Sequence, residues 1–310
     1  SGAFITFIPS GATIDSLIGI TLIPLVFFLL DKALKNKTHN YIYGILTGAS
    51  IGLQGLGGLP QISMMTIYVL FFYFLYVVVT GILKKEEKSE EISRLVITFG
   101  VALFVGIGLY SIQIFPSMEA FLNYSTRSFN MDYKSAAHCS LPIKELLMFL
   151  MPNLFDKLCR YVGILPLFFV FVAILFMKNN KYIKFYLALL VISILIALGS
   201  YGPIHKLCYY LVPGFRAFRW PARWLYFSTF SLSILAGFGL SFLISKIRFK
   251  QNLNFLIKVF LFLNIVMILI LCFGKFMKPD IISQLTKWVT SSSAKEINLQ
   301  YRYAIVKESL

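Results

Sequence analysis

Apolar stretches of nearly membrane-crossing length alternate with short polar ones along almost the whole chain. Eight runs stand out, roughly Ile14–Leu30, Tyr41–Gly57, Ile62–Leu83, Ile92–Phe115, Tyr161–Met177, Tyr182–Gly199, Trp224–Ile244 and Phe255–Phe273. Each is long enough, or nearly so, to cross about 30 Å of hydrocarbon as a helix. The run Glu145–Met151, between Pro142 and Pro152, is too short to span and reads as an interfacial or re-entrant helix. The pattern predicts an all-α fold, a polytopic transmembrane helix bundle of about eight spans with exterior loops. No repeat recurs at a fixed period.

Composition sharpens this picture. Of 310 residues, 58% are hydrophobic and 14% charged, against roughly 25% charged in an average soluble protein. The 29 basic and 13 acidic residues cannot furnish the polar skin of a soluble domain of this size. An ordinary soluble globular domain and a disordered chain are both excluded. A net charge of +16 would point to nucleic acid in a soluble protein. Here the cations fall between apolar runs, so they read as loops facing anionic membrane lipids. No nucleic-acid partner is expected.

Short loops set the orientation. Asp31–Asn40, Lys84–Arg94, Lys178–Lys184 and Lys246–Lys258 carry Lys and Arg and alternate correctly with the spans, which puts all four on the cytoplasmic side. The opposite side receives the Gly57–Gln61 turn, the long Pro116–Arg160 loop, Ser200–Arg223 and the tail from Gly274. Two regions follow: a membrane region, 1–277, and the start of an exterior polar region, 278–310. The chain opens on Ser1 and turns polar from Ser291 to Leu310, so it reads as an internal piece of a longer protein, the C-terminal part of a larger bundle. Gly44, Gly48 and Gly52, four apart, share one helix face and invite close backbone approach.

Candidate chemistry concentrates outside the spans. Within them Asp15, Gln54, Gln113 and Asn264 are the notable polar groups. Ion-coupled transport calls for ionisable groups near mid-membrane, so this scarcity argues against a transporter. Lys is the default cation, 21 against 8 Arg, yet six arginines fall on the exterior: Arg127, Arg160, Arg216, Arg219, Arg223 and Arg302. The densest cluster is Pro213-Gly-Phe-Arg216-Ala-Phe-Arg219-Trp-Pro-Ala-Arg223. Guanidinium forks hold phosphate bidentately, so the segment suits a lipid phosphate at the outer interface. Equally, it reads as interfacial anchoring, with Arg snorkelling beside an aromatic belt. His205, in the neighbouring loop, is placed to touch the same phosphate.

Exterior carboxylates Asp15, Glu119, Asp132, Glu145 and Asp156 can each serve as a general base or as a loop charge. Gly48-Ala-Ser50-Ile-Gly52 fits the nucleophile-elbow pattern but lies in a predicted membrane helix, so it reads as packing. His39, His138 and His205 are scattered without metal spacing, and no metal site is expected. The positions of Cys139 and Cys159 leave an exterior disulfide open.

Several blocks resemble, in order, those of the YfhO-like bacterial membrane proteins. Gly58-Leu-Pro60-Gln61-Ile-Ser resembles the family's Gly-His-Pro-Gln turn, with Leu59 where the family has His. Gln113-Ile-Phe-Pro116-Ser-Met-Glu119, followed by Ser125-Thr-Arg127, resembles the block that ends a family helix. Ser140-Leu-Pro142 to Met151-Pro152-Asn153-Leu154-Phe155 and Tyr161-Val-Gly163-Ile-Leu-Pro166 resemble its loop and following span. Leu198-Gly199-Ser-Tyr-Gly202-Pro203 through Pro213-Gly214-Phe215, Phe218-Arg219 and Pro221-Ala222-Arg223, then Leu235-Ala-Gly237-Phe-Gly239-Leu240, resembles its most recognisable block.

The resemblance implies a GT-C-like bundle and a membrane glycosyltransferase of the bacterial cytoplasmic membrane, with its site on the outer face. Such an enzyme moves a sugar from a polyprenyl-phosphate donor to a cell-envelope glycopolymer acceptor such as a teichoic acid. It implies donor-phosphate binding by Arg219 and Arg223, with Arg216, Arg127 and His205 next. Pro60, Gln61 and Tyr161 would shape the substrate site, Gln61 by contacting sugar or acceptor. Glu119 is a candidate acid/base, although the family's main base belongs to an earlier exterior loop, outside this chain. No cofactor is called for, and a divalent cation is left open. A lipid-linked sugar flippase and a non-catalytic envelope scaffold are the competing readings.

Overall fold

Wherever the apolar runs predict helix, the described chain is helical. The computed structural model describes residues 14–57, 59–83, 89–124, 131–149, 162–248 and 265. Among these there is no strand. Nine α-helices appear among them: α1 (Ile14–Lys35), α2 (Asn40–Gly57), α3 (Pro60–Leu83), α4 (Ser89–Tyr124), α5 (Tyr133–Ala136), α6 (Ile164–Phe176), α7 (Lys181–Ala197), α8 (Pro203–Leu211) and α9 (Leu225–Arg248). Two compact units divide the chain, Ser1–Phe242 and Leu243–Leu310. In the second, the described residues are the last turns of α9 and Ile265. The expected eighth run and the boundary at 277 lie outside the described residues.

Among the described residues four helices are long and apolar enough to cross a membrane: Leu17–Lys35, Pro60–Leu83, Ser89–Glu119 and Pro221–Ser245. The other three runs fold as helices that fall short. At 1.5 Å per residue, α2, α6 and α7, with 18, 13 and 17 residues, span only about 20–27 Å. Buried Asn40, Thr47, Ser50 and Gln54 further lower the hydropathy of α2.

The α2 glycines do what their spacing predicts. A Cβ on Gly44 would lie 3.1 Å from the Thr98 carbonyl oxygen, and one on Gly48 2.5 Å from that of Ala102. On Gly52 it would lie 2.5 Å from the Leu109 Cβ. Backbone therefore packs on backbone between α2 and α4, the geometry that small residues permit in membrane helices. The Ser50 hydroxyl donates to the Leu46 carbonyl 2.9 Å away within its own helix, so the elbow-like motif is packing. Tyr73, Phe185, Tyr186, Phe27 and Phe230 join α1, α3, α7 and α9 through ring contacts of 4.9–6.0 Å.

Two expectations are corrected. Pro116 does not end its helix, because α4 runs on to Tyr124. Pro forfeits one ladder bond but does not stop a helix. The short helix expected between Pro142 and Pro152 is present as a 3-10 helix, Ile143–Phe149, with Glu145 in its first turn. The segment Ser200–Arg223, expected as a loop, holds a helix, α8, begun by Pro203 at its first position, where the missing N–H costs nothing.

Candidate functional site: an arginine turn gripped by Gln61

The ends of the helices sort the loops into two groups. At one end Lys37 pairs with Glu91, Arg94 Nη1 donates to the Asn36 carbonyl at 2.9 Å, and Tyr76 donates to the Lys181 carbonyl at 2.9 Å. Asp31 accepts from the Tyr73 hydroxyl at 2.6 Å and from Lys35 at 2.7 Å. Sequence reading took Asp31 as a loop charge. Its partner, 42 positions away, ties α1 to α3.

At the other end the described parts of 131–149 and 198–223 form one cap. The Leu141 N–H donates to the Ala197 carbonyl at 3.0 Å, and the Ser200 N–H to Ser140 Oγ at 2.8 Å. Met131 is a hub. Its N–H donates to the Arg216 carbonyl at 3.1 Å, its carbonyl accepts from the Tyr209 hydroxyl at 2.6 Å, and its sulfur accepts from Arg219 Nε at 3.3 Å.

Within this cap the arginine turn is held from α3. Pro60 opens that helix, and the Leu59 carbonyl accepts from the Ile62 N–H at 2.9 Å. Gln61 is thereby fixed at the first turn, with only 6% of its surface exposed. Its Nε2 donates to the Arg219 carbonyl at 2.7 Å, and its Oε1 accepts from Arg223 Nη1. Both amide atoms are thus engaged with the protein. One bond on each atom fixes the carboxamide against the arginine turn and leaves its second N–H and second lone pair free of described partners, and Pro60 sets the helix start that aims it.

The backbone between the arginines is bent hard. Trp220 sits at φ 70°, ψ 68°, a left-handed conformation that bulky residues rarely adopt. Its N–H donates to the His138 carbonyl at 3.1 Å, and its ring lies 5.1 Å from the Arg223 guanidinium carbon. Pro221 then fixes the next φ. Gly214, at φ +82°, packs against Met64, where a Cβ would come within 2.7 Å of the sulfur. Phe215 and Trp224 stack at 5.8 Å beneath the turn.

A narrow cavity of about 10 Å³, room for one water at most, lies beside Gln61 and is walled by Met64, His205, Phe218, Arg219 and Trp224. His205 is not a loop residue. It sits on α8, is 3% exposed, and its buried Nδ1 has no hydrogen-bond partner among the described residues. Burial pushes its pKa down to about 4. The imidazole is therefore neutral near pH 7 and offers a phosphate hydrogen bonding rather than charge.

Arg216 belongs to a different place. Its Nε donates to the Tyr209 carbonyl at 3.2 Å, and its guanidinium lies over the Tyr209 and Tyr210 rings at 5.3 and 5.7 Å. It walls an open groove of about 360 Å³ along residues 209–217.

Glu119 is exposed on the extended end of α4, and no described contact joins it to the arginine turn. Asp132, next to the Met131 hub, caps α5, and hydrogen bonding to Ser135 lowers its pKa. Arg127 and Tyr161 lie outside the described residues. Cys139 and Cys208 are free thiols, and Cys159 lies outside. Among the described residues no group of three His, Cys, Asp or Glu could hold a metal ion.

An all-α chain with four long apolar helices and a cationic turn capping one end defines a multi-pass membrane protein. No protein-family model, curated protein or solved structure matches it.

Proposed function

We propose that the chain is part of a GT-C-like glycosyltransferase of the bacterial cytoplasmic membrane. It moves a sugar from a polyprenyl-phosphate donor to a cell-envelope glycopolymer at the outer face. The observation that carries this reading is the Gln61 carboxamide, which binds the Arg219 backbone and the Arg223 side chain at once.

Glycosyl transfer from a lipid phosphate breaks the bond between the anomeric carbon and the phosphate oxygen. Negative charge then builds on the leaving phosphate. Cations fixed beforehand favour that charge most in a site screened from water. Arg219 lines the cavity beside Gln61, which has to widen to admit a phosphate, and among the described residues no carboxylate lies within ion-pair distance of it. Arg223 lies on the other side of the strained Trp220. The neutral His205 at the pocket wall donates or accepts one hydrogen bond. An acceptor hydroxyl must also lose its proton, and that base belongs to another part of the protein, with Glu119 the candidate within this chain.

The test is donor turnover by full-length protein carrying Arg219→Ala or Arg219→Lys. A charge-assisted bond is worth about 1.5–3 kcal/mol, so Arg219→Ala loses about tenfold to a hundredfold in transfer rate. Arg219→Lys recovers only part, because it lacks the planar fork. Unchanged rates in both variants contradict the assignment.

A further inference from the structure

The outward face of α8 is apolar, although α8 belongs to the cap rather than to a span. Leu207, Tyr210 and Leu211 occupy one helical face at i, i+3 and i+4 and are 55%, 57% and 70% exposed. The opposite face, His205 and Tyr209, is buried in the protein. A helix in water would turn polar side chains outward at those positions.

What covers this face is indicated by its neighbours. α8 follows α7 after a single short turn, and α7 exposes Val191 and Ile192 along its length. The apolar surface of the bundle thus continues onto α8. Tyr201 and Trp220, both exposed, flank it, as aromatic residues do at the edge of the hydrocarbon.

Charge identifies the headgroup. At the C-terminal end of α8 the open groove has Arg216 in its wall. Among the described residues Arg216 has no carboxylate within ion-pair distance, and its two terminal nitrogens have no recorded hydrogen-bond partner. The two tyrosine rings beneath it and the bond from Nε to the Tyr209 carbonyl hold the guanidinium in place. Lys206 adds a second cation on the same helix.

We propose that α8 lies in the plane of the membrane interface and that the Arg216 groove seats the phosphate of an anionic phospholipid of the surrounding bilayer. The acyl chains of that lipid run along Leu207, Tyr210 and Leu211. This seat is separate from the Arg219 pocket and does not depend on the glycosyl-transfer reading.

The experiment uses full-length protein in nanodiscs of phosphatidylcholine with a minor fraction of phosphatidylglycerol. The readout is the ratio of the two lipids retained after detergent extraction and gel filtration. Arg216→Ala lowers retained phosphatidylglycerol by about fivefold, the effect of one interfacial cation. Arg216→Gln, which keeps a donor for the Tyr209 carbonyl, lowers it similarly while preserving the fold. Leu211→Glu, at a groove-lining position 70% exposed, lowers it by placing negative charge against the lipid. Wild-type ratios in Arg216→Gln or in Leu211→Glu overturn the proposal. So does displacement of phosphatidylglycerol by equimolar polyprenyl phosphate, which would assign the groove to a donor lipid.

Discussion

Gln61 and His205 are the two residues whose surroundings most change their meaning. Gln61 reaches partners 158 and 162 positions away, and both its bonds serve the arginine turn. Gln61→Leu keeps the volume and removes both bonds. It should lower transfer by about tenfold or more, consistent with loss of a bond to a charged group, while the protein stays folded by gel filtration. Activity equal to wild type would show that the arginines hold themselves in place. For His205 the sign of the pH effect follows from its depressed pKa. Between about 6.5 and about 4 the unfolded imidazole is protonated and the folded one is not, so stability falls as pH drops through that window. The melting temperature of the wild type should therefore fall more steeply over this range than that of His205→Leu. Parallel curves would mean that the imidazole is hydrated or paired in the native protein. The density of Arg, Pro and aromatic residues made the 213–223 segment legible in the sequence. The Gln61 grip was not, because a contact between distant positions leaves no local pattern. The burial of His205 was hidden too, since a lone histidine between Pro203 and Gly214 reads as loop.

At the scale of elements, hydrophobic runs located every described long helix, and four-residue glycine spacing located a face where two helix backbones pack closely. Gly48→Val tests that pair. A Cβ there already meets the Ala102 carbonyl oxygen and the Val105 Cβ, at 2.5 and 2.8 Å, so two branched carbons force α2 and α4 apart. The cost of such overpacking is about 1–3 kcal/mol, measurable as a drop in thermal stability in detergent. Gly100→Val, at a position with open space around the glycine, should cost less than Gly48→Val. Equal losses would mean that helix propensity, not packing, sets the effect. Two elements escaped the pattern for a physical reason. Pro116 looked like a stop signal, yet the rest of α4 tolerates one missing ladder bond. The nine residues of α8 are too few to show a periodicity that outweighs flanking Gly and Pro. The short helix read between Pro142 and Pro152 is present as the 3-10 helix Ile143–Phe149, a type that a seven-residue pattern does not distinguish from an α-helix.

For the described part of the first unit, the two groups of loops give one polarity. Lys37–Glu91, Arg94–Asn36 and Tyr76–Lys181 gather the segments expected in the cytoplasm at one end. The Met131 hub and the Gln61 grip gather the segments expected outside at the other. The alternation of short basic loops thus foretold which segments meet, because each span reverses the chain. A transferase uses this polarity by keeping donor phosphate, arginines and acceptor on one face. A flippase would need a polar route between the faces. Buried Gln54 donates to Thr66 at 3.1 Å and to the Gly19 carbonyl at 2.6 Å, whereas its Oε1 and the buried Ser63 hydroxyl have no hydrogen-bond partner among the described residues, so these polar groups are where such a route would be sought.

The most direct measurement is sugar transfer by full-length protein in proteoliposomes, with radiolabelled polyprenyl-phosphate sugar and a glycopolymer acceptor on one side. Label should appear on the acceptor without lipid crossing the bilayer, and Arg219→Ala should lower its rate of appearance about tenfold to a hundredfold while leaving the protein folded. Label that remains on lipid and moves to the opposite leaflet would contradict the account and make the protein a flippase.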